Sequence, residues 1–558
     1  MQPKYLLYLA VIITLQTSAQ SGIITGKVVD ESNSQPLAGA TVIIKNTGIK
    51  TLSDVDGVYK FNKLKPGNYT LEATYIGYTS KEFSGLTVSN EEVTSFNILM
   101  SSAQNNTLQN VVVTSANASK ETLNSILIAR RNAVVVSDAI SADMIKRSPD
   151  KNIGDVLKRV SGTSIQDNKF VVVRGMNDRY NEALLNGCVL PSTESDRKTF
   201  AFDIFPSDLV DNITIIKSAS AEYPASFAGG LVIVNLKDVP EKNFFSFKIG
   251  AGLNTITTNK KFYQQSISSL DFLGLDDGSR SLPGNFPSTK IYNQLPPNKQ
   301  INQAKSLPND WKLYKFTAPL NSLLQLSGAY TTTAKNGFPK FGALFGLSYN
   351  STYRISHLAN KDYGSVTVLP DSVDTGLPYY DFKDTSYTHT ILSSALGNFT
   401  VKINPNNKFF FNNLLAINST IQTITRGGES QAGTGSLSPY YAYTHSFQSN
   451  VIYNGQIGGE HNLPKLKLRI KWLAYYTNYS KNEPDYRQMV YTQPFENAPY
   501  FAYLGYPTLA TTTNTGTRFY YDTKDIAKGV NLDFNKSFLF LNNTQSFKFG
   551  FASFDDAR

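Results

Sequence analysis

Every second residue is apolar along much of the C-terminal half of the chain. Phe245, Phe247, Ile249, Ala251 and Leu253 alternate with Ser246, Lys248, Gly250, Gly252 and Asn254. Phe341, Ala343, Phe345, Leu347 and Tyr349 repeat the scheme against Gly342, Gly346, Ser348 and Asn350. Leu466, Leu468, Ile470, Trp472 and Ala474 do so against Lys467, Arg469 and Lys471, and Phe547, Phe549 and Phe551 flank Lys548 and Gly550. Successive side chains leave a strand to opposite faces. These runs therefore predict strands of about ten residues, apolar on one face and polar or small on the other, as in lipid-out, lumen-in transmembrane strands. A soluble sandwich or barrel makes the same alternation, so the period alone leaves both open. Aromatics near the strand ends fit interfacial girdles and favour the membrane. Short turns such as Asn404-Pro405-Asn406-Asn407 contrast with long polar stretches such as 254–318, as periplasmic turns contrast with extracellular loops.

The N-terminal pattern is different. Lys4 precedes the apolar run Tyr5-Leu6-Leu7-Tyr8-Leu9-Ala10-Val11-Ile12-Ile13, which gives way to Thr17-Ser18-Ala19. A basic start, a short apolar run and a small-x-small site predict a signal peptide over residues 1–19. The run is well short of the ~20 residues that a membrane-spanning helix needs, and no later segment reaches that length. Membrane residence must then come from strands.

Residues 20–101 read as short strands between turns: Gly26-Lys27-Val28-Val29-Asp30, Ala40-Thr41-Val42-Ile43-Ile44, Val58-Tyr59-Lys60-Phe61 and Asn68-Tyr69-Thr70-Leu71-Glu72-Ala73. The turns are Ser32-Asn33-Ser34, Asp54-Val55-Asp56-Gly57 and Pro66-Gly67. A small β-sandwich of about seven strands is expected. Asp54 and Asp56 are carboxylates of a glycine turn, and turn chemistry rather than calcium explains them. Residues 102–119 form a polar linker that contains an isolated β-branched run, Leu108-Gln109-Asn110-Val111-Val112-Val113-Thr114. That run either closes a neighbouring domain as a strand or docks on the sheet edge of a partner; the docking reading is favoured.

Residues 120–240 mix helix and strand. Ile153, Val156, Leu157 and Val160 fall on one helical face behind Asn152, a capping residue. Phe170-Val171-Val172-Val173 is an apolar strand, Asn186-Gly187 is a type I′ hairpin signal, and Ile213–Ile216 and Leu231–Val234 are further strands.

Composition narrows the chemistry. The chain has 558 residues, enough for more than one domain, and its net charge is +10 with Lys and Arg scattered along it. That distribution lacks the basic, aromatic-lined face of a nucleic-acid binder. Cys188 is the only cysteine, and the four histidines, His357, His389, His445 and His461, lack metal-ligand spacing. No metal site or cofactor is expected. No acid–base pair, nucleophile elbow or phosphate loop supports an enzyme. Asp276-Asp277-Gly278-Ser279-Arg280 reads as an exposed turn.

Two resemblances gather these zones. Gly26-x-Val28, Pro36-Leu37-x-Gly39-Ala40-x-Val42, Asp56-Gly57-x-Tyr59-x-Phe61, Gly67-x-Tyr69 and Gly77-Tyr78 resemble the carboxypeptidase regulatory-like, or transthyretin-like, module, a scaffold without catalytic residues. Residues 120–240 resemble the plug of TonB-dependent receptors. The stretches are Asn152-Ile153-Gly154-Asp155-Val156-Leu157, Val173-Arg174-Gly175, Leu185-Asn186-Gly187, Phe205-Pro206-Ser207-Asp208-Leu209 and Phe227-Ala228-Gly229-Gly230. Arg179-Tyr180-Asn181 and Leu190-Pro191-Ser192-Thr193-Glu194 resemble a Bacteroidetes-type branch. Phe227-Ala228-Gly229-Gly230 stands where glycan receptors of that branch carry a Tyr-Gly-Ser-Arg-Gly-Ala run, which weakens a polysaccharide assignment. Arg174 and Gly175, at the end of a buried plug strand, read as structural rather than ligand-contacting.

The expected fold is mainly β: an N-terminal transthyretin-like sandwich, an α+β plug and, over residues 241–558, part of a transmembrane antiparallel barrel. Plugged transporters use 22 strands, and at about ten residues per strand plus loops the remaining length accommodates about half of them. The expectation is therefore a C-terminally truncated receptor. The resemblance implies a receptor in the outer membrane with its sandwich in the periplasm, in contact with outer-membrane lipid. It would bind an extracellular solute and import it with energy that TonB and its inner-membrane complex draw from the proton gradient. Leu108, Val111, Val112, Val113 and Thr114 are the candidate TonB box. The alternative is an adhesion or structural barrel that transports nothing.

Overall fold

The computed structural model describes residues 22–31, 35–45, 47–88, 93–101, 112–114, 135–194, 198–239, 243–333, 339–363, 378–404, 406–430, 438–493, 497–502, 516, 518–540 and 543–557. The signal-peptide reading falls outside them, as do Leu108 and Val111 of the docking run. Among the described residues no helix is long and apolar enough to cross a membrane.

The first unit is a sandwich. Gly22–Asp30 pairs with Val58–Leu64, Val93–Ser95 and Ile98–Met100 in one sheet. The other sheet runs Ile49–Leu52, Thr41–Ile44, Gly67–Thr74, Lys81–Val88, Val112–Thr114. Alternation does the packing: Tyr69, Leu71 and Ala73 point inward from one strand and meet Ile24, Val28, Val42, Ile44, Phe83 and Ile98, all buried. Tyr59, fully buried, finds its polar partner in the Phe96 carbonyl at 2.7 Å.

The second unit contains two short helices and a five-stranded sheet ordered Ser137–Ser141, Val210–Ile216, Gly230–Leu236, Asn181–Leu185, Cys188–Val189. Asn152 caps the helix Ile153–Leu157 by accepting from the Asp155 amide at 2.9 Å. The helix closes at Leu157, earlier than the spacing predicts, and Val160 reaches the same core from the turn that follows.

The third unit is a ten-stranded sheet in which consecutive strands pair antiparallel, from Phe244–Gly252 and Asn321–Thr333 through to Asn543–Ala557. Pro339–Asp362, Tyr380–Asn404, Asn407–Ser430, Ser438–Leu463 and Leu468–Thr492 are 24, 25, 24, 26 and 25 residues long. They are more than twice the length that the apolar alternation predicts, because pairing continues through Ser-, Thr- and Asn-rich sequence beyond it. Leu466 is a correction of another kind. Pro464–Leu466 forms a single 3-10 turn, Lys467 takes a left-handed φ of 49°, and the strand begins only at Leu468.

The two faces of this sheet differ. Leu344, Leu396, Leu414, Ala416 and Ile452 join the core of the second unit. Phe345, Leu347, Phe399, Val401, Phe411 and Ile457, on the opposite face, are exposed. A row of bare aromatic and aliphatic side chains on adjoining strands is out of place in water and fits a lipid phase.

Candidate functional site

The motif residues of the second unit hold its own architecture together. Arg174 has a left-handed φ of 54°, which turns its guanidinium back across the sheet. Nη2 donates to the Gly229 carbonyl at 2.8 Å and the Ala228 carbonyl at 3.3 Å, and Nε donates to Gly229 at 3.2 Å. Arg174 thus ties the end of its strand to the Phe227–Gly230 run, a structural role. The glycines there are set by space. A Cβ on Gly230 would lie 2.7 Å from Val173 Cγ1, and one on Gly229 would lie 2.2 Å from Asn181 Oδ1. Gly154 is less crowded, with Asn152 Oδ1 at 3.2 Å, while the Asp155 carboxylate accepts from Lys158 at 2.9 Å. Val156 and Leu157 are fully buried.

Asn186 and Gly187 have φ of 51° and 89°, as a type I′ turn requires. Asn186 Oδ1 accepts from the Leu236 amide at 2.8 Å and its Nδ2 donates to Gln456 Oε1 at 3.4 Å, while the Gly187 carbonyl accepts from Asn531 at 3.1 Å. The hairpin tip therefore reaches the wall. Cys188 behind it is buried against Leu473 and Tyr475, and burial pushes its thiol pKa up.

The unit sits on the wall through polar contacts spread over six strands, those of Gln456 and Asn531 included. Asp208 accepts from Ser348 at 3.3 Å, Asp203 from Asn418 at 2.9 Å, Glu194 pairs with Lys481 at 2.8 Å, and Asn398 donates to the Lys237 carbonyl at 2.7 Å. Burial raises the pKa of both Asp203 and Asp208. Beyond this interface, at the long-loop end, a cavity of about 540 Å³ is lined by Lys151 of the second unit and by Thr352, Arg354, Ser386, Thr388 and Gln422 of the wall. Lys151 Nζ donates to Thr352 Oγ1 at 2.9 Å. Hydroxyls, an amide and two cations make it a hydrogen-bonding surface.

Sequence reasoning missed a cluster at the opposite, short-turn end. Asp54 Oδ1 accepts from the amides of Asp56 and Val58 at 3.0 and 2.8 Å, the turn chemistry expected of it. Its other oxygen lies 2.6 Å from Lys402 of the wall. Asp56 stands 2.9 Å from Lys402 and 3.4 Å from Lys408, and Lys408 also meets Asp238 at 3.3 Å. Burial pushes the Asp54 pKa up, with Lys402 pulling against it. Burial acts on Asp56 in the same sense, but Lys408, Lys402 and Lys27 together hold its pKa well below the usual range. The sandwich, the second unit and the wall line an open cavity of about 850 Å³ beside this cluster. The only sequence signal was the charge at Lys402 and Lys408, flanking a tight turn.

The docking run is placed in part. Val112–Thr114 adds to the sandwich as a parallel strand, with Glu82 opposite Val112, Phe83 opposite Val113 and Ser84 opposite Thr114. This corresponds to the domain-closing alternative.

A folded α+β unit seated against a long-stranded β wall with an apolar outer face defines a plugged-barrel architecture. Comparison with known proteins specifies it. Residues 24–113 match the CarboxypepD_reg-like domain, and residues 129–231 match the TonB-dependent Receptor Plug Domain. The chain carries both, in that order, so its second unit is a plug domain of the kind found in TonB-dependent receptors.

Solved structures with a similar fold include the ferric citrate transporter FecA in its unliganded form, at 13% identity, 73% of this chain, 54% of that one and a TM-score of 0.32. The RagAB peptide importer in its open-open state gives 12%, 76%, 54% and 0.35. The ferric preacinetobactin receptor BauA of Acinetobacter baumannii gives 10%, 76%, 61% and 0.29. This chain thus spans between 54% and 61% of those three chains. No curated protein matches it.

Proposed function

We propose that the chain is the gate-bearing part of an outer-membrane receptor that binds an extracellular solute and imports it by TonB-dependent work. The observation that carries this reading is the seating of the plug. It bonds to one face of strands whose other face is apolar and bare, so it stands where a solute would have to pass. In this reading the short turns and the sandwich lie in the periplasm, and the polar cavity at Lys151 and Arg354 faces the outside. A folded plug does not let a large solute diffuse through, and the outer membrane has no ATP. Energy must arrive by contact with a partner. The strand around Leu108, Val111, Val112, Val113 and Thr114 is the element that such a partner would take, by adding it to its own sheet edge. Its three-residue pairing with Lys81–Val88 is short enough to exchange.

Binding of the purified chain to the C-terminal domain of TonB tests this. Deletion of residues 108–114 should abolish capture, and Val113→Pro, which removes one ladder donor, should weaken it. Undiminished capture by the deletion variant would sink the reading.

A further inference from the structure

Asn418 and Ser419 are neighbours in one strand and face opposite sides of the wall. Asn418 donates to Asp203 of the plug, and Ser419 donates to the carbonyl of Gly274 in the segment that joins the first two wall strands. The parity holds elsewhere. The plug bonds to Ser348, Asn398 and Asn418, whereas the segment bonds through Ser393, Ser419 and Ser449, the last to Gly274 at 2.7 Å. Phe262 packs edge-on against Tyr353 and Tyr387 at 5.4 Å, and the Arg280 guanidinium lies 4.7 Å from the Phe447 ring. The long polar stretch does not fold over the lumen, then. It clads the side of the wall that carries the apolar band.

Its lower edge meets that band. On Asn407–Ser430, Phe411 and Leu415 are bare while Ser419 and Ile421 are buried. The turn Asp271–Leu273 adjoins this border and exposes Leu270, Phe272 and Leu273, Phe272 to 59%.

The charges are sorted as well. Asp271 and Asp276 are taken up by Arg280 at 2.6 and 3.2 Å, and Asp277 caps Ser269 and Ser279. Lys260, Lys261, Lys290, Lys299, Lys305 and Lys315 are exposed, and none forms an ion pair among the described residues. The segment thus presents an apolar tip and a surplus of cations on the lipid side.

We propose that this segment is a collar seated on the membrane surface. Its Leu270–Leu273 tip enters the interface, and its lysines bind the phosphate-bearing head groups of that leaflet. Side chains with an apolar body dip into the acyl boundary while ammonium groups remain at the phosphates. The proposal rests on the reading that the wall crosses a bilayer.

Nitroxide labels in the full chain test both together, in a Cys188→Ala background. Labels are placed at Phe345→Cys in the band, Phe272→Cys at the tip and Ile76→Cys on the sandwich. The chain is reconstituted into vesicles of phosphatidylcholine, alone or mixed equally with phosphatidylglycerol. Lipid-soluble oxygen should relax the band and tip labels more than a water-soluble nickel complex does, with the reverse at the sandwich label. In the mixed vesicles the oxygen-to-nickel ratio at the tip should rise, and high salt or Lys260→Gln with Lys261→Gln and Lys315→Gln should cancel the rise. A lipid-exposed band with an aqueous tip overturns the collar and leaves the membrane reading standing. An aqueous band overturns both. A tip ratio equal in the two vesicle types overturns the role of the lysines.

Discussion

Lys402, at the foot of a wall strand, stands 2.6 Å from Asp54, a residue of the sandwich fully shielded from solvent. The two residues are 348 positions apart in sequence, and with the Asp56 contacts to Lys402 and Lys408 they join the sandwich to the wall directly. A buried carboxylate is tolerated only while its cation is present.

Lys402→Ala should therefore loosen the sandwich without unfolding it. Removing one member of a buried pair costs about 3–5 kcal/mol, part of which Lys408 recovers through Asp56. The expected outcome is faster proteolysis of the sandwich–wall junction with an unchanged circular dichroism spectrum. Lys402→Asp combined with Asp54→Lys should restore part of the protection. Identical digestion rates in wild type and Lys402→Ala would refute the latch.

The same cluster sets a pH dependence. The Asp56 pKa is depressed in the docked state, so the stability it contributes is fully present above the ordinary carboxylate range and is lost as pH falls through the depressed value. The Asp54 pKa is raised, so protonation there relieves a burial cost as pH falls. The two oppose each other near the ordinary range, and at more acidic pH Asp56 decides, with Asp238, whose pKa, against the pull of burial, Lys408 also lowers, acting in the same sense. Fluorescence transfer between dyes on the sandwich and the wall should stay flat from neutral pH to the ordinary carboxylate range and fall only below it. A fall centred near neutrality would contradict this assignment.

Gly230→Ala should destabilise the plug by about 1–3 kcal/mol, because the new methyl meets three branched atoms of Val173 that have no room to withdraw. Hydrogen exchange along Gly230–Leu236 and its neighbour Asn181–Leu185 should accelerate together. Unchanged exchange would show that Val173 yields.

Cys188 offers a reporter of plug displacement. The thiol is buried and its pKa is raised by that burial, so a maleimide should modify it slowly in the resting protein. Agents that shift the hairpin from Leu473 and Tyr475 should speed the reaction by orders of magnitude. Rapid labelling of the folded chain at neutral pH would argue against the seating described.

The plug was the most legible part of the sequence, because its signals are local. A cap at Asn152, a left-handed pair at Asn186-Gly187 and a crowded Gly229-Gly230 each fix a backbone conformation within a few residues. The sandwich strands were legible for the same reason. What escaped was set by distance. Asp54 satisfies its turn with one oxygen, and nothing nearby in sequence reveals that the second awaits Lys402. The strands ran longer than their apolar stretches because hydrogen-bonded pairing does not require apolar side chains. The side taken by the segment around Phe262 and Gly274 depends on the parity of Ser393, Ser419 and Ser449, small polar residues that fit either face.

The parallel pairing of Val112–Thr114 with Lys81–Val88 has a mechanical consequence. The strand lies between a sandwich pinned to the wall and a plug that, in the proposed function, is to be moved. Tension on it divides between an anchor and a load. Drawn along its axis, the strand resists in shear, all its ladder bonds loaded at once; drawn sideways, it peels one bond at a time. The direction of pull, more than its strength, then determines whether the tether slackens first or the plug shifts first.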